Sequence, residues 1–175
     1  MTMRTLIFLR HAKSSWALPG VDDFDRPLND RGNNAAPKMA NWLTSEGIKP
    51  DVIVCSSAKR TRETLAHIEP MFSQEVATIL EPNLYLASSN TLFECAAKLD
   101  DAYETAMLLA HNPGLHDAAL SALTAASRRE SGEMRSRFPT CACAIISLPI
   151  NSWSEINTDI GELDAYVTPK GLPTS

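Results

Sequence analysis

Leu9-Arg10-His11-Ala12-Lys13-Ser14 closes one short apolar run of the chain, and Leu109-Ala110-His111-Asn112-Pro113-Gly114 closes another. The runs leading into them, Arg4 to Leu9 and Thr105 to Ala110, have the length and apolar content of buried strands. Each histidine therefore stands where a strand gives way to a turn or a helix. In an open α/β sheet, reactive groups collect at the carboxyl ends of parallel strands, so the two imidazoles could share one pocket. An arginine directly before the first of them suggests phosphate chemistry.

The pattern continues in both directions. Asn29 or Asp30 caps a predicted helix to about Glu46, with Ala35, Met39, Trp42 and Leu43 on its apolar face and Gly47 as its stop. A second strand over Asp51 to Cys55 leads to a helix from about Ala58 to Phe72, shortened by Pro70. A third strand over Val76 to Leu80 is followed by a helix over Ser89 to Asp100. A short helix over Gly114 to Leu123 follows His111. Cys141 to Leu148 reads as a fifth strand, and Trp153 to Val167 as one or two antiparallel edge strands. Lys13 to Leu28 reads as loop. Thr124 to Arg137, polar and carrying four arginines, reads as an exposed loop that either forms a basic collar or only keeps the surface solvated. This alternation predicts an α/β three-layer sandwich, a mostly parallel sheet of about five to six strands with helices on both faces. One domain is expected over residues 1–168, with a flexible tail over 169–175.

Composition limits the function. A chain of 175 residues is long enough for one substantial core. The net charge of −5 gives no global support for binding nucleic acid or an anionic membrane surface. No stretch reaches the roughly 18 apolar residues of a membrane span, and the N-terminal apolar run is too short for a signal peptide. A cytoplasmic location is expected. Cys55, Cys95, Cys141 and Cys143 lie in apolar segments without further ligands nearby, so they read as free thiols and no metal is expected.

The residues that carry chemistry reinforce one another. The guanidinium of Arg10 offers a fork of donors to phosphate oxygens, and a neutral imidazole at His11 offers a nucleophilic nitrogen. In Ser56-Ser57-Ala58-Lys59-Arg60-Thr61, small residues after the second strand open a helix, and Arg60 falls where strand end and helix start make an anion site. Pro113 and Gly114 force a tight turn behind His111. His67 and His116 fall within helices and read as structural. Asp22, Asp23 and Asp25 read as turn formers that could still supply a carboxyl group.

In order along the chain, the following segments resemble the histidine phosphatase superfamily, with its phosphoglycerate-mutase-like fold, and within it the SixA-like phosphohistidine phosphatases. They are Leu9 to Trp16; Asp25-Arg26-Pro27-Leu28 with Arg31-Gly32; Pro50-Asp51 with Ser56 to Thr64; Leu84-Tyr85; His111-Asn112-Pro113-Gly114; and Phe138-Pro139-Thr140. The resemblance makes His11 the phosphoryl acceptor, with Arg10, Arg60 and His111 as ligands of the transferring oxygens and Ser14 and Asn112 as substrate contacts. It implies no cofactor. The expected substrate is a phosphorylated protein, or a small phosphorylated molecule, with inorganic phosphate as product. Mutase-type members carry a glutamate acid/base after the third strand; Leu84-Tyr85-Leu86-Ala87 has none, and Glu81 is out of register. A phosphoramidate leaves more readily than an alkoxide, so the missing acid favours phosphohistidine. A small-molecule phosphomonoesterase and an idle phosphate-binding module remain the alternatives.

Overall fold

The computed structural model describes residues 2–72 and 74–173. Six strands form one sheet in the order β3-β2-β4-β1-β5-β6. The parallel part comprises β1 (Arg4–Arg10), β2 (Val52–Ser56), β3 (Ala77–Glu81) and β4 (Thr105–Ala110). β5 (Cys143–Leu148) runs antiparallel to β1, and β6 (Glu162–Val167) antiparallel to β5. The sheet is thus mostly parallel, as the alternation of elements predicts.

Its two faces are built by period-two alternation. Leu6 and Phe8 of β1, Val52 and Val54 of β2, and Ala106 and Leu108 of β4 join one core. The intervening Ile7, Leu9, Ile53, Cys55, Met107 and Leu109 join the other. Helices α3 (Ser89–Ala97) and α4 (Gly114–Ala122) cover the first face through Leu92, Ala96, Leu115 and Ala118. Helices α1 (Asp30–Ser45) and α2 (Lys59–Ile68) cover the second through Met39, Leu43, Leu65 and Ile68. Burying each such Leu or Ile contributes roughly 1.5–3 kcal/mol. Asn29 caps α1 by accepting from Gly32 N, and Gly47 at φ 71° lets the chain leave it.

One expectation changes. Thr124 to Arg137 is not an open loop: it forms α5 (Ala125–Glu130) and a 3₁₀ turn over Gly132–Arg135. Thr124 caps α5 through Ser127 N, Ser127 Oγ accepts from Leu163 N, and Met134 is fully buried. Trp153 to Val167 supplies one antiparallel edge strand, within the one or two expected, preceded by a 3₁₀ turn over Trp153–Glu155. The segment expected as a tail begins with a 3₁₀ turn over Pro169–Gly171, and Leu172 packs against the core under α1; Thr174 and Ser175 lie outside the described residues. All four cysteines are free thiols, and burial pushes Cys55 and Cys141 up to about 12. No helix among the described residues is long and apolar enough to cross a membrane.

Candidate active site

Strand register brings the two histidines together. β1 and β4 are neighbours with Arg10 opposite Ala110, so the next residue on each strand is a histidine at the same sheet end. His11 N donates to Ala110 O at 3.2 Å, and the two ring centroids lie 5.2 Å apart. β2 flanks β4 on its other side and ends at Ser56, whose Oγ lies 2.7 Å from His111 Nε2. Two residues separate Ser56 from the start of α2 at Lys59, and Arg60 then reaches back over the same strand ends.

The tautomer of His11 follows from its partners. Nδ1 lies 2.7 Å from Ala12 O, an atom that only accepts, so Nδ1 carries the proton. The lone pair is therefore on Nε2, where Arg60 Nε donates at 3.3 Å. The peptide of Ala12 is itself held by Thr64 Oγ1 at 3.0 Å, which fixes the carbonyl that orients the ring. His11 is 6% exposed and His111 2%. Burial holds both imidazoles near a pKa of about 3; for His11 the Ala12 bond opposes this, and His111, Arg60 and Arg10 reinforce it. The two arginines act in the same direction as burial, which is the larger cause.

Arg10 and Arg60 are held differently. Arg10 Nη1 donates to Phe138 O at 3.0 Å, while its Nε is buried and has no partner among the described residues. Burial, then the charge of Arg60, lowers the Arg10 pKa, so the two guanidinium groups are close enough to repel. Arg60 is clasped by Asp23: Nη1 donates to its carbonyl at 2.6 Å and Nη2 to Oδ2 at 3.0 Å. Arg26 Nε binds the other carboxylate oxygen at 3.1 Å, and Tyr85 Oη donates to Oδ2 at 2.5 Å. The Tyr85 bond, then the Arg60 charge and bonds from Arg60 and Arg26, hold Asp23 at about 2 against the upward push of burial. Tyr85 also meets the His111 ring edge-on, with centroids 5.5 Å apart.

Of the three loop aspartates read as turn formers, Asp22 and Asp25 are exposed, whereas Asp23 belongs to the site. Ser14 and Asn112 are tied to the scaffold. Ser14 Oγ accepts from Arg26 Nη1 at 2.9 Å, and Asn112 Nδ2 donates to Phe138 O at 2.8 Å. His116 Nε2 is bound to Met134 O, in keeping with a structural role. Arg128 turns its guanidinium to the carbonyls of Leu120 and Leu123 and to Asp159.

A sequence profile of the histidine phosphatase superfamily (branch 1) matches residues 6–85, the segment that supplies His11, Asp23 and Arg60. An uncharacterized chloroplastic protein of Arabidopsis thaliana is 34% identical over 168 residues, covering 87% of this chain and 70% of that protein. The chain belongs to the histidine phosphatase superfamily. Within it the fold is SixA-like. A candidate phosphohistidine phosphatase SixA from Nakamurella multipartitia superimposes with a TM-score of 0.82 at 26% identity, covering 97% of this chain and 98% of that one. Its counterpart from Agrobacterium tumefaciens gives 0.81 at 26%, over 97% and 100%. Membership in the superfamily supports phosphatase, hence hydrolase, activity for this chain.

Proposed function

We propose that the chain hydrolyses protein phosphohistidine through a phosphoryl intermediate on His11. The observation that carries the first step is the His11 imidazole: neutral, with Nδ1–H tied to Ala12 O and the Nε2 lone pair beside the Arg60 donor. Nε2 attacks phosphorus in line. A phosphorus–nitrogen bond forms to His11 as the bond to the leaving nitrogen breaks, and that nitrogen takes a proton from solvent. Water then attacks the phosphoryl group, gives up a proton, and releases inorganic phosphate and neutral His11.

Arg60 and Arg10 neutralise the equatorial oxygens, and His111 supplies a third contact through Nδ1, the ring atom left buried and unpartnered once Nε2 meets Ser56. Their placement before substrate arrives lowers the reorganisation cost, which is most of what phosphoryl transfer asks of a protein. Asp23 orients Arg60 and does not act as the acid, because its carboxyl is ionised far below neutral pH. With the Asp23 carboxyl at the site ionised and no other carboxyl among the described residues bonded to the His11, Arg60 and His111 side chains, an imidazole leaving group is favoured over a sugar alkoxide.

Turnover of a phosphohistidine protein against a sugar phosphate at matched concentration tests the reading. The expected result is preference for phosphohistidine with an acid-labile phosphoryl label on His11. Equal or better turnover of the sugar phosphate overturns the substrate assignment, and wild-type turnover by His11→Ala overturns the mechanism.

A further inference from the structure

Beside Arg10, on the β5–β6 side of the phosphoryl pocket, lies a cavity of about 540 Å³ whose walls are cationic. Lys13, Arg31, Lys38, Arg137 and Lys170 line it together with Arg10, and among the described residues no aspartate or glutamate does, in a chain of net charge −5. Arg137 is paired with Glu133. Among the described residues, Lys13, Arg31, Lys38 and Lys170 form no ion pair. Burying or clustering like charges without counter-ions destabilises a fold, and a merely solvated surface mixes signs.

The cluster is built by the fold. A Cβ on Gly32 would stand 2.2 Å from Lys13 O, and Asn29 N donates to the same carbonyl at 2.9 Å. The first turn of α1 is thereby pressed onto the residue two places after His11, and Arg31 is fixed beside Lys13. Arg31 and Lys38, seven residues apart, fall on one face of α1. Arg31 also sits in the first turn, where the helix macrodipole disfavours a cation, so helix stability does not account for it. Arg10 joins this cavity to the phosphoryl pocket, and its buried Nε lacks a partner among the described residues.

We infer that this cavity is a substrate subsite that holds acidic side chains flanking the phosphorylated residue of a polypeptide. The inference rests on the reading that His11 is the phosphoryl acceptor. A second compact phosphate would call for a convergent cradle of buried forks, such as Arg10 and Arg60 form. Here Arg31, Lys38 and Lys170 are long, exposed and spread over α1 and the segment after β6, a layout matched to several spaced carboxylates. Nucleic acid fits poorly, since among the described residues no aromatic ring lines the cavity for a base to stack on.

The test reads binding, so it is independent of whether phosphohistidine is the true substrate. A fluorescent, unphosphorylated peptide with aspartate and glutamate at alternate positions is titrated into the wild-type chain and into Arg31→Ala/Lys38→Ala/Lys170→Ala, with folding of both checked by circular dichroism. At low salt the variant is expected to bind at least tenfold more weakly, and raising salt should erase the difference. A neutral peptide of the same length should not bind. Equal binding by wild type and variant overturns the subsite. So does tighter binding of a small bisphosphate or a ribonucleotide oligomer than of the peptide. If the subsite holds but phosphohistidine is not turned over, the substrate reading fails while the acidic preference stands.

Discussion

Arg60 donates to His11 Nε2 through Nε at 3.3 Å while both its Nη atoms are engaged by Asp23. One guanidinium thus joins His11, the proposed nucleophile, to the carboxylate that orients that guanidinium. This makes the contributions of His11 and Asp23 separable.

Removing the nucleophile should remove the chemistry. His11→Ala is expected to lower kcat by about a thousandfold or more, because no other lone pair occupies that position. Rapid-quench measurement with labelled substrate should find no acid-labile phosphoprotein. A labelled His11→Ala intermediate would place the acceptor elsewhere.

Asp23→Asn should act in two opposing ways. The carboxylate holds Arg60 but also repels an incoming dianion. Loss of its charge is expected to tighten inhibition by inorganic phosphate roughly three- to tenfold, the scale of one partly screened charge, while kcat falls. Steady-state inhibition reads both. Unchanged phosphate affinity would mean that Asp23 lies outside the electrostatic reach of the bound phosphoryl group.

Tyr85→Phe should raise the Asp23 carboxyl from about 2, since the Tyr85 hydroxyl is the largest cause of its depression. Carbon-detected NMR titration of the carboxyl follows this directly. The Asp23 titration should stay low if the arginines alone hold it.

Acid should weaken the fold before the carboxylates titrate. His11 and His111 sit near 3 in the folded chain against about 6.5 unfolded, so between these limits the unfolded state binds more protons. Stability is therefore full above pH 6.5 and is lost as pH falls towards 3. Urea midpoints at pH 7.5, 6 and 5 are expected to decrease, and His111→Asn should make the decrease shallower. An identical pH slope in that variant would count against the buried neutral imidazole.

Gly32→Ala should cost about 1–3 kcal/mol, because the added methyl meets the main chain of Lys13 and not a movable side chain. Urea unfolding measures this. Activity should fall too, since Lys13 lies two residues after His11, the proposed nucleophile.

The strands were legible in the sequence where burial on both faces produces a continuous apolar run. β4 occupies the expected Thr105–Ala110, and β1 extends one residue past expectation to Arg10. α5 was not legible, because its six residues carry no apolar period; the Thr124 cap and the Ser127–Leu163 bond hold it. The histidines, Arg10 and Arg60 stand out because strand ends and a helix start mark their positions. Asp23 does not, since three aspartates within four residues look alike until folding turns one towards Arg60. Tyr85 was visible only as part of a motif; its bond to Asp23 spans 62 residues and has no local signature.

The carbonyl of Phe138 receives both Arg10 and Asn112, and so ties the ends of β1 and β4 to the segment before β5. Every amino acid carries that oxygen. A mutational scan that reads only side-chain identity would score position 138 by its ring and overlook the junction, whereas an ester substituted for the peptide bond between Phe138 and Pro139, or a one-residue deletion nearby, would expose it. The buried ring, packed between His116 and Tyr166, answers to a separate constraint, so position 138 carries a side-chain role and a main-chain role that side-chain substitution alone does not separate.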